Sequence, residues 1–176
     1  MGEIKAAKPV KAFCAILFRD KETLDVSLSL LEKKFGKTDV KSEIFLFNFS
    51  DYYCAEMGEG LKKIFVSFEQ PIVPDNACEW KIFTNEIEKK FSVFPDRPSR
   101  RINIDPGYLR LSNVVLLTTK DYSHRIYLGK GIYAEITLIW KQGKFEFLSW
   151  TYPDYRTELA LNFFENVRRN LKDKIA

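Results

Sequence analysis

Twice in its first hundred residues the chain switches its hydrophobic period from that of a strand to that of a helix and back, and few architectures accept that order. Lys11–Phe18 is a near-continuous apolar run, which reads as a central strand. Leu24, Leu28, Leu31 and Phe35 follow at helical spacing, with Asp20 or Thr23 placed to cap the start and Gly36 to end it. Two more apolar runs, Glu43–Phe49 and Leu61–Phe68, lie on either side of Gly58 and Gly60. Pro71 and Pro74 then break the chain before Asp75, an N-cap for a second helix with the stripe Trp80, Phe83, Ile87 and Phe91. Arg101–Asp105 alternates like a short strand. The order β-α-β-β-α-β is the split βαβ arrangement of ferredoxin-like sheets.

The last third changes character. Ile126–Leu128, Ile132–Trp140 and Lys144–Trp150 read as strands of an antiparallel meander, separated by Gly129-Lys130-Gly131 and by Gln142-Gly143. The second junction is a two-residue hairpin turn, so the register follows from alternation. Ala134, Ile136, Leu138 and Trp140 are expected to share the core face with Phe145, Phe147 and Ser149. Tyr133, Glu135 and Thr137 are expected on the opposite face with Leu148, Trp150 and Tyr152. A helix from about Arg156 closes the chain, with Leu159, Phe163, Val167 and Leu171 as its buried stripe. The expected fold class is therefore α+β: a ferredoxin-like β-α-β-β-α-β core, then a β-meander and a C-terminal helix. At 176 residues this is one domain spanning 1–176, with 92–100 as the one candidate internal junction.

Composition narrows the function classes. The net charge of +4 permits anionic partners without demanding them. Cys14, Cys54 and Cys78 are too far apart in sequence to form a zinc knuckle or a redox dithiol. The N-terminus has no apolar leader, and the apolar runs are too short to span a bilayer, so a cytoplasmic location without membrane contact is expected. Gly129-Lys130-Gly131 lacks the spacing and the Ser/Thr of a phosphate loop, and no dinucleotide-binding glycine pattern occurs. His124 is the only histidine, which excludes two-histidine metal centres within one chain; no metal site is expected, and no cofactor is indicated.

Polar side chains concentrate in loops at predicted strand ends, where scaffolds carry function. His124 is a candidate general base or phosphate ligand, or else a structural histidine at a strand start. Glu135, framed by aromatics, is a candidate general acid if unpaired and a structural partner if an arginine meets it. Asp105, Lys120, Arg125, Tyr152, Asp154 and Arg156 are candidate ligand-binding residues. Two of them also have simpler readings: Asp105-Pro106-Gly107 as a turn and Asp154 as the cap of the last helix. The leading expectation is a pocket lined by Asp105, His124, Arg125 and Glu135 that binds, or acts on, a small phosphorylated metabolite or nucleotide. A second is an RNA-binding module that uses Arg97, Arg100 and Arg101 with an exposed aromatic face. A third is a non-catalytic protein-interaction domain.

The strings Ile104-Asp-Pro-Gly-Tyr108, Thr119-Lys-Asp-Tyr-Ser-His-Arg-Ile-Tyr-Leu128, Gly131-Ile-Tyr-Ala-Glu135 and Trp150-Thr-Tyr-Pro-Asp-Tyr-Arg156 carry a resemblance, as does Ile82-Phe-Thr-Asn-Glu-Ile87. They resemble the domain-of-unknown-function family numbered 4416, over nearly the whole chain. The resemblance implies a bacterial, single-domain protein and brings no reaction with it.

Overall fold

The first helix begins where its cap residue places it. Asp20 accepts from the Thr23 backbone N–H at 2.9 Å, and Gly36 ends the helix at φ +89°, so α1 spans Lys21–Phe35. In this computed structural model, which describes residues 2–92 and 99–175, the strands are β1 (Lys11–Phe18), β2 (Thr38–Lys41), β3 (Phe45–Leu46), β4 (Lys62–Phe68), β5 (Ile102–Leu109), β6 (Asn113–Thr118), β7 (Ile126–Gly129), β8 (Ile132–Lys141) and β9 (Lys144–Phe147). The other helices are α2 (Cys54–Met57), α3 (Ala77–Lys90) and α4 (Glu158–Ile175). No helix among the described residues is long and apolar enough to cross a membrane.

The fold is α+β. One antiparallel sheet runs in the order β2-β4-β1-β5-β6-β8-β7, with β3 also on β4 and β9 also on β8. The central position of β1 explains its unbroken apolar run. Cys14, Ile16 and Phe18 enter the core under α1 and α3, while Phe13 and Ala15 enter the core under α4. Both faces of the sheet are thus covered by helices, which a half-exposed alternating strand could not support.

Several elements depart from the sequence reading. The strand expected over Glu43–Phe49 is reduced to β3, and a separate strand, β2, precedes it, with its Asp39 paired to the buried Lys11 on β1. Asn113–Thr118, to which the sequence reading assigns no element, forms β6 in the middle of the sheet. Asp75 lies in a short 3-10 turn, and Asn76 precedes α3 without a side-chain cap. The last strand ends at Phe147 rather than Trp150. Around 92–100, Ser92 bridges to Arg100 and the Arg101 N–H donates to the Phe91 carbonyl, so the two flanks lie side by side.

Asp105-Pro106-Gly107 is not a turn; it lies inside β5, where Asp105, Pro106 and Gly107 face Ala15, Cys14 and Phe13 on β1. Gly107 is needed for close approach rather than for a positive φ. A Cβ there would lie 2.3 Å from the Val115 carbonyl oxygen and 2.5 Å from the Phe13 ring. Pro106 stands where the β5–β6 ladder stops, since pairing to β6 covers only Gly107–Leu109.

The β8–β9 hairpin turns at Gln142 and Gly143, both at positive φ, and places Trp140 opposite Phe145 and Leu138 opposite Phe147 as the turn chemistry requires. The expected faces do not persist along β8. Val114 faces Leu138 but Val115 faces Ile136, so Thr137 is an extra residue in a bulge. Ala134 consequently packs with the α1/α3 core and Leu138 with the α4 core, while Ile136 and Phe147 are exposed.

Candidate functional site

Beyond Pro106, β5 and β6 part, and the gap between them opens into a cleft of about 310 Å³. Its walls are aromatic: Phe47, Phe49, Tyr52 and Tyr53 from the segment after β3, and Tyr152 and Tyr155 from the turn before α4. Its floor is charged. Lys63 on β4 donates to Asp154 at 2.6 Å, and its ammonium lies 5.2–5.5 Å from the ring centroids of Tyr155, Phe47 and Phe65. Lys81 reaches from α3 to the Ile104 carbonyl at 2.8 Å and to Asp105 at 3.0 Å, with Glu88 at 3.6 Å. Asn103 donates to the other Asp105 oxygen at 2.8 Å.

These contacts lock the floor's charges. Burial alone would push the Asp105 carboxyl up, but Lys81, Lys63 and the hydrogen bonds from Lys81 and Asn103 override it and hold the group below its ordinary range. Burial would likewise lower Lys81, yet Asp105 and Glu88 raise it. Asp105 is therefore an anionic acceptor at neutral pH. Tyr155 is driven well up, first by burial and then by the charges of Asp154 and Asp105, so its hydroxyl stays protonated.

The sequence candidates separate into three groups. Asp105, Lys120, Tyr152 and Asp154 all line the cleft. His124, Arg125 and Glu135 come together behind it, not in its lining: His124 Nε2 and Arg125 Nε lie 3.1 and 2.7 Å from the same Glu135 oxygen. Glu135 has no exposed side-chain surface and His124 stacks on Trp150 at 4.9 Å, so the carboxylate is an arginine's buried partner. Arg125 joins this cluster to the cleft by donating to the Tyr152 hydroxyl at 3.0 Å. Arg156 stands apart; it donates to the Thr151 and Ser149 carbonyls and lies over Phe147, fastening its own loop. Asp154 is not the helix cap: Thr157 accepts from the Ala160 N–H at 3.3 Å, leaving the aspartate to Lys63.

Of the arginines expected to track a phosphate backbone, Arg97 lies outside the described residues. Arg100 pairs with Glu56 and Glu88, and Arg101 with Asp20. On the face expected to be aromatic and exposed, Glu135 and Thr137 are buried, whereas Trp150 and Tyr152 are exposed. Among the described residues no three His, Cys, Asp or Glu side chains gather closely enough to hold a metal ion.

Lys63, Lys81, Asn85, Asn103 and Tyr53 were not singled out from the sequence. The available signal was a lysine within an apolar pattern: Lys63 precedes Ile64-Phe65-Val66, and Lys81 sits between Trp80 and Ile82.

The family model described as a domain of unknown function (DUF4416) matches residues 8–171. The chain belongs to this family. The match takes in every strand and all the cleft residues named above, so the cleft of this DUF4416 protein lies within the family's shared region. No curated protein and no solved structure matches the chain.

Proposed function

We propose that this DUF4416 protein binds a small phosphorylated metabolite, of the size and kind of a nucleotide, in the cleft between β5 and β6. The observation that carries this reading is an aromatic-walled cleft of about 310 Å³ whose floor holds Lys63, Lys81, Asp105 and Asp154. Ligand sites combine mostly apolar walls with a few fixed polar groups in this way. Tyr52, Tyr53 and Tyr152 supply faces on which a flat ring can stack, and Lys120 at the mouth supplies a cation for phosphate. Asp105 acts as an ionised acceptor for ligand N–H or O–H groups. His124 and Glu135 serve the cleft indirectly, through Arg125 and the Tyr152 hydroxyl.

The order β2-β4-β1-β5, with α1 and α3 as the crossovers, supports reading the first half as a ferredoxin-like core. The free Cys14, Cys54 and Cys78 support a reducing, cytoplasmic compartment.

Thermal unfolding in the presence of nucleosides, nucleotides and sugar phosphates tests the binding reading. A ligand at a hundredfold excess over Kd should raise Tm by about 5–10 °C. Thr119, exposed on the cleft rim, provides the control: Thr119→Trp should crowd the cleft and abolish the shift. A wild-type protein indifferent to the whole set, or a shift that survives Thr119→Trp, would overturn the proposal.

A further inference from the structure

The charges within the cleft are arranged so that they discriminate among phosphorylated ligands, an inference that rests on the binding reading above. In the inner half, each ammonium already has a carboxylate: Lys63 has Asp154 at 2.6 Å and Lys81 has Asp105 at 3.0 Å. Arg100 is held between Glu56 and Glu88. A polyphosphate placed there would meet Asp105 and Asp154 as closely as it met the lysines, with water largely displaced. The inner half is therefore hostile to a multiply charged anion.

It is well suited to a neutral oxygen. The Tyr155 hydroxyl is buried and has no hydrogen-bond partner among the described residues, although the residue lines the cleft. A buried hydroxyl without a partner is costly, and a ligand acceptor would relieve that cost. The Asp105 carboxylate, a quarter exposed, can accept from a ligand hydroxyl beside it. The mouth differs. Lys120 is exposed and has no carboxylate partner among the described residues, and its ammonium lies 4.1 Å from the centroid of the Tyr52 ring. One cation over one ring makes a place for one anionic group next to a stacked base.

We propose that the cleft selects ligands with a single phosphate: the neutral, hydroxyl- or carbonyl-bearing part enters against Tyr155 and Asp105, and the phosphate stays at the mouth on Lys120. A nucleoside monophosphate has this distribution of charge. A nucleoside triphosphate does not.

The experiment is calorimetric titration of the full chain with adenosine, AMP and ATP and with uridine, UMP and UTP, without divalent cations so that phosphate charge is unmasked. Wild type, Lys120→Ala and Tyr155→Phe are compared. For wild type, the monophosphate should bind on the order of five- to tenfold more tightly than its nucleoside. The triphosphate should gain nothing over the monophosphate. Lys120→Ala should erase the advantage of the monophosphate, so that monophosphate and nucleoside bind this variant equally. Tyr155→Phe should weaken nucleoside and monophosphate by the same factor, roughly tenfold, while the free protein remains as stable as wild type or more so. A triphosphate that binds tenfold more tightly than the monophosphate overturns the inference, as does a monophosphate advantage that survives Lys120→Ala. Wild-type affinity in a folded Tyr155→Phe protein also overturns it. If none of the six compounds binds wild type, the inference falls together with the nucleotide reading. Binding of either nucleoside series without the predicted order defeats the inference alone.

Discussion

Lys63 on β4 and Asp154 in the turn before α4 stand 91 residues apart in the chain, yet their side chains meet at 2.6 Å with less than a tenth of either exposed. The pair fixes the last helix's approach to the sheet and forms one end of the cleft floor. Taking away one partner leaves the other charge buried alone, at a cost of about 3–5 kcal/mol. Lys63→Met and Asp154→Asn are each expected to lower the unfolding free energy by that amount in urea titrations. Lys63→Met combined with Asp154→Leu should recover most of the loss. Single variants as stable as wild type would show that the pair is not buried in solution.

Gly107→Ala tests the placement of Asp105-Pro106-Gly107 inside a strand. The added methyl would meet the Val115 carbonyl and the Phe13 ring, and the carbonyl belongs to a paired strand that cannot easily yield. Overpacking of this kind costs about 1–3 kcal/mol. Trimming Phe13 to Leu should restore only part of it, because the backbone contact remains. A neutral Gly107→Ala would favour the turn that the tripeptide suggests locally.

Glu135→Gln separates a structural carboxylate from a catalytic one. Arg125, with 7% of its side chain exposed, loses its counter-charge in this variant. The expected result is a loss of about 3 kcal/mol in stability, measured by denaturant titration. Unchanged stability would return Glu135 to candidacy as a general acid.

Acid should weaken the fold below pH 4 rather than near neutrality. Burial pushes Asp105 and Asp39 up, but Lys81 and Lys11 respectively, with their hydrogen bonds, hold both carboxyls below the ordinary range; bonds from Thr38 do the same for Glu32. A carboxyl whose folded value lies below its unfolded one contributes stability that is complete above the unfolded value and lost as pH falls through the folded one. Lys81, raised by Asp105 and Glu88 against its burial, has the opposite sign. Its contribution is complete below the ordinary lysine value of 10.5 and fades as pH rises beyond it. Tm should therefore be level from about pH 5 to 8 and fall below about pH 4, and Asp105→Asn should flatten the acid limb. A main transition between pH 5 and 7 would assign acid sensitivity to another group.

Much of the architecture was legible in short stretches of sequence. Asp20 with Thr23, Gly36, and Gln142-Gly143 act within three or four residues of chain, so cap and turn chemistry identified them without knowledge of the fold. The stripes of α1, α3 and α4 repeat over several turns and stood out for the same reason. Asp105, Lys120, Tyr152 and Asp154 were recognisable as polar or aromatic groups in segments at strand ends, and all four line the cleft.

Local reading stopped where distant contacts overrule it. Asp105-Pro106-Gly107 has turn composition, but β1 pairs along the whole tripeptide and the Phe13 ring occupies the space a side chain would need. Strict alternation along β8 fails at Thr137, because a bulge is set by the register of β6 and leaves no mark in β8 itself. The apolar neighbours of Lys63 and Lys81 mark them as unusual lysines, but their carboxylates, 91 and 24 residues away, are identified only in the folded chain.

By itself, the sequence determined where α1 begins and ends, where the last hairpin turns, and that β1 must be covered on both faces. Each follows from backbone geometry and side-chain period over a few neighbouring residues. Only the tertiary structure decided that β5 and β6 part beyond Pro106, which charges meet in the gap, and that Glu135 belongs to Arg125 rather than to the cleft. Those outcomes depend on distances across the sheet, and burial and charge pairing act through space irrespective of position in the chain.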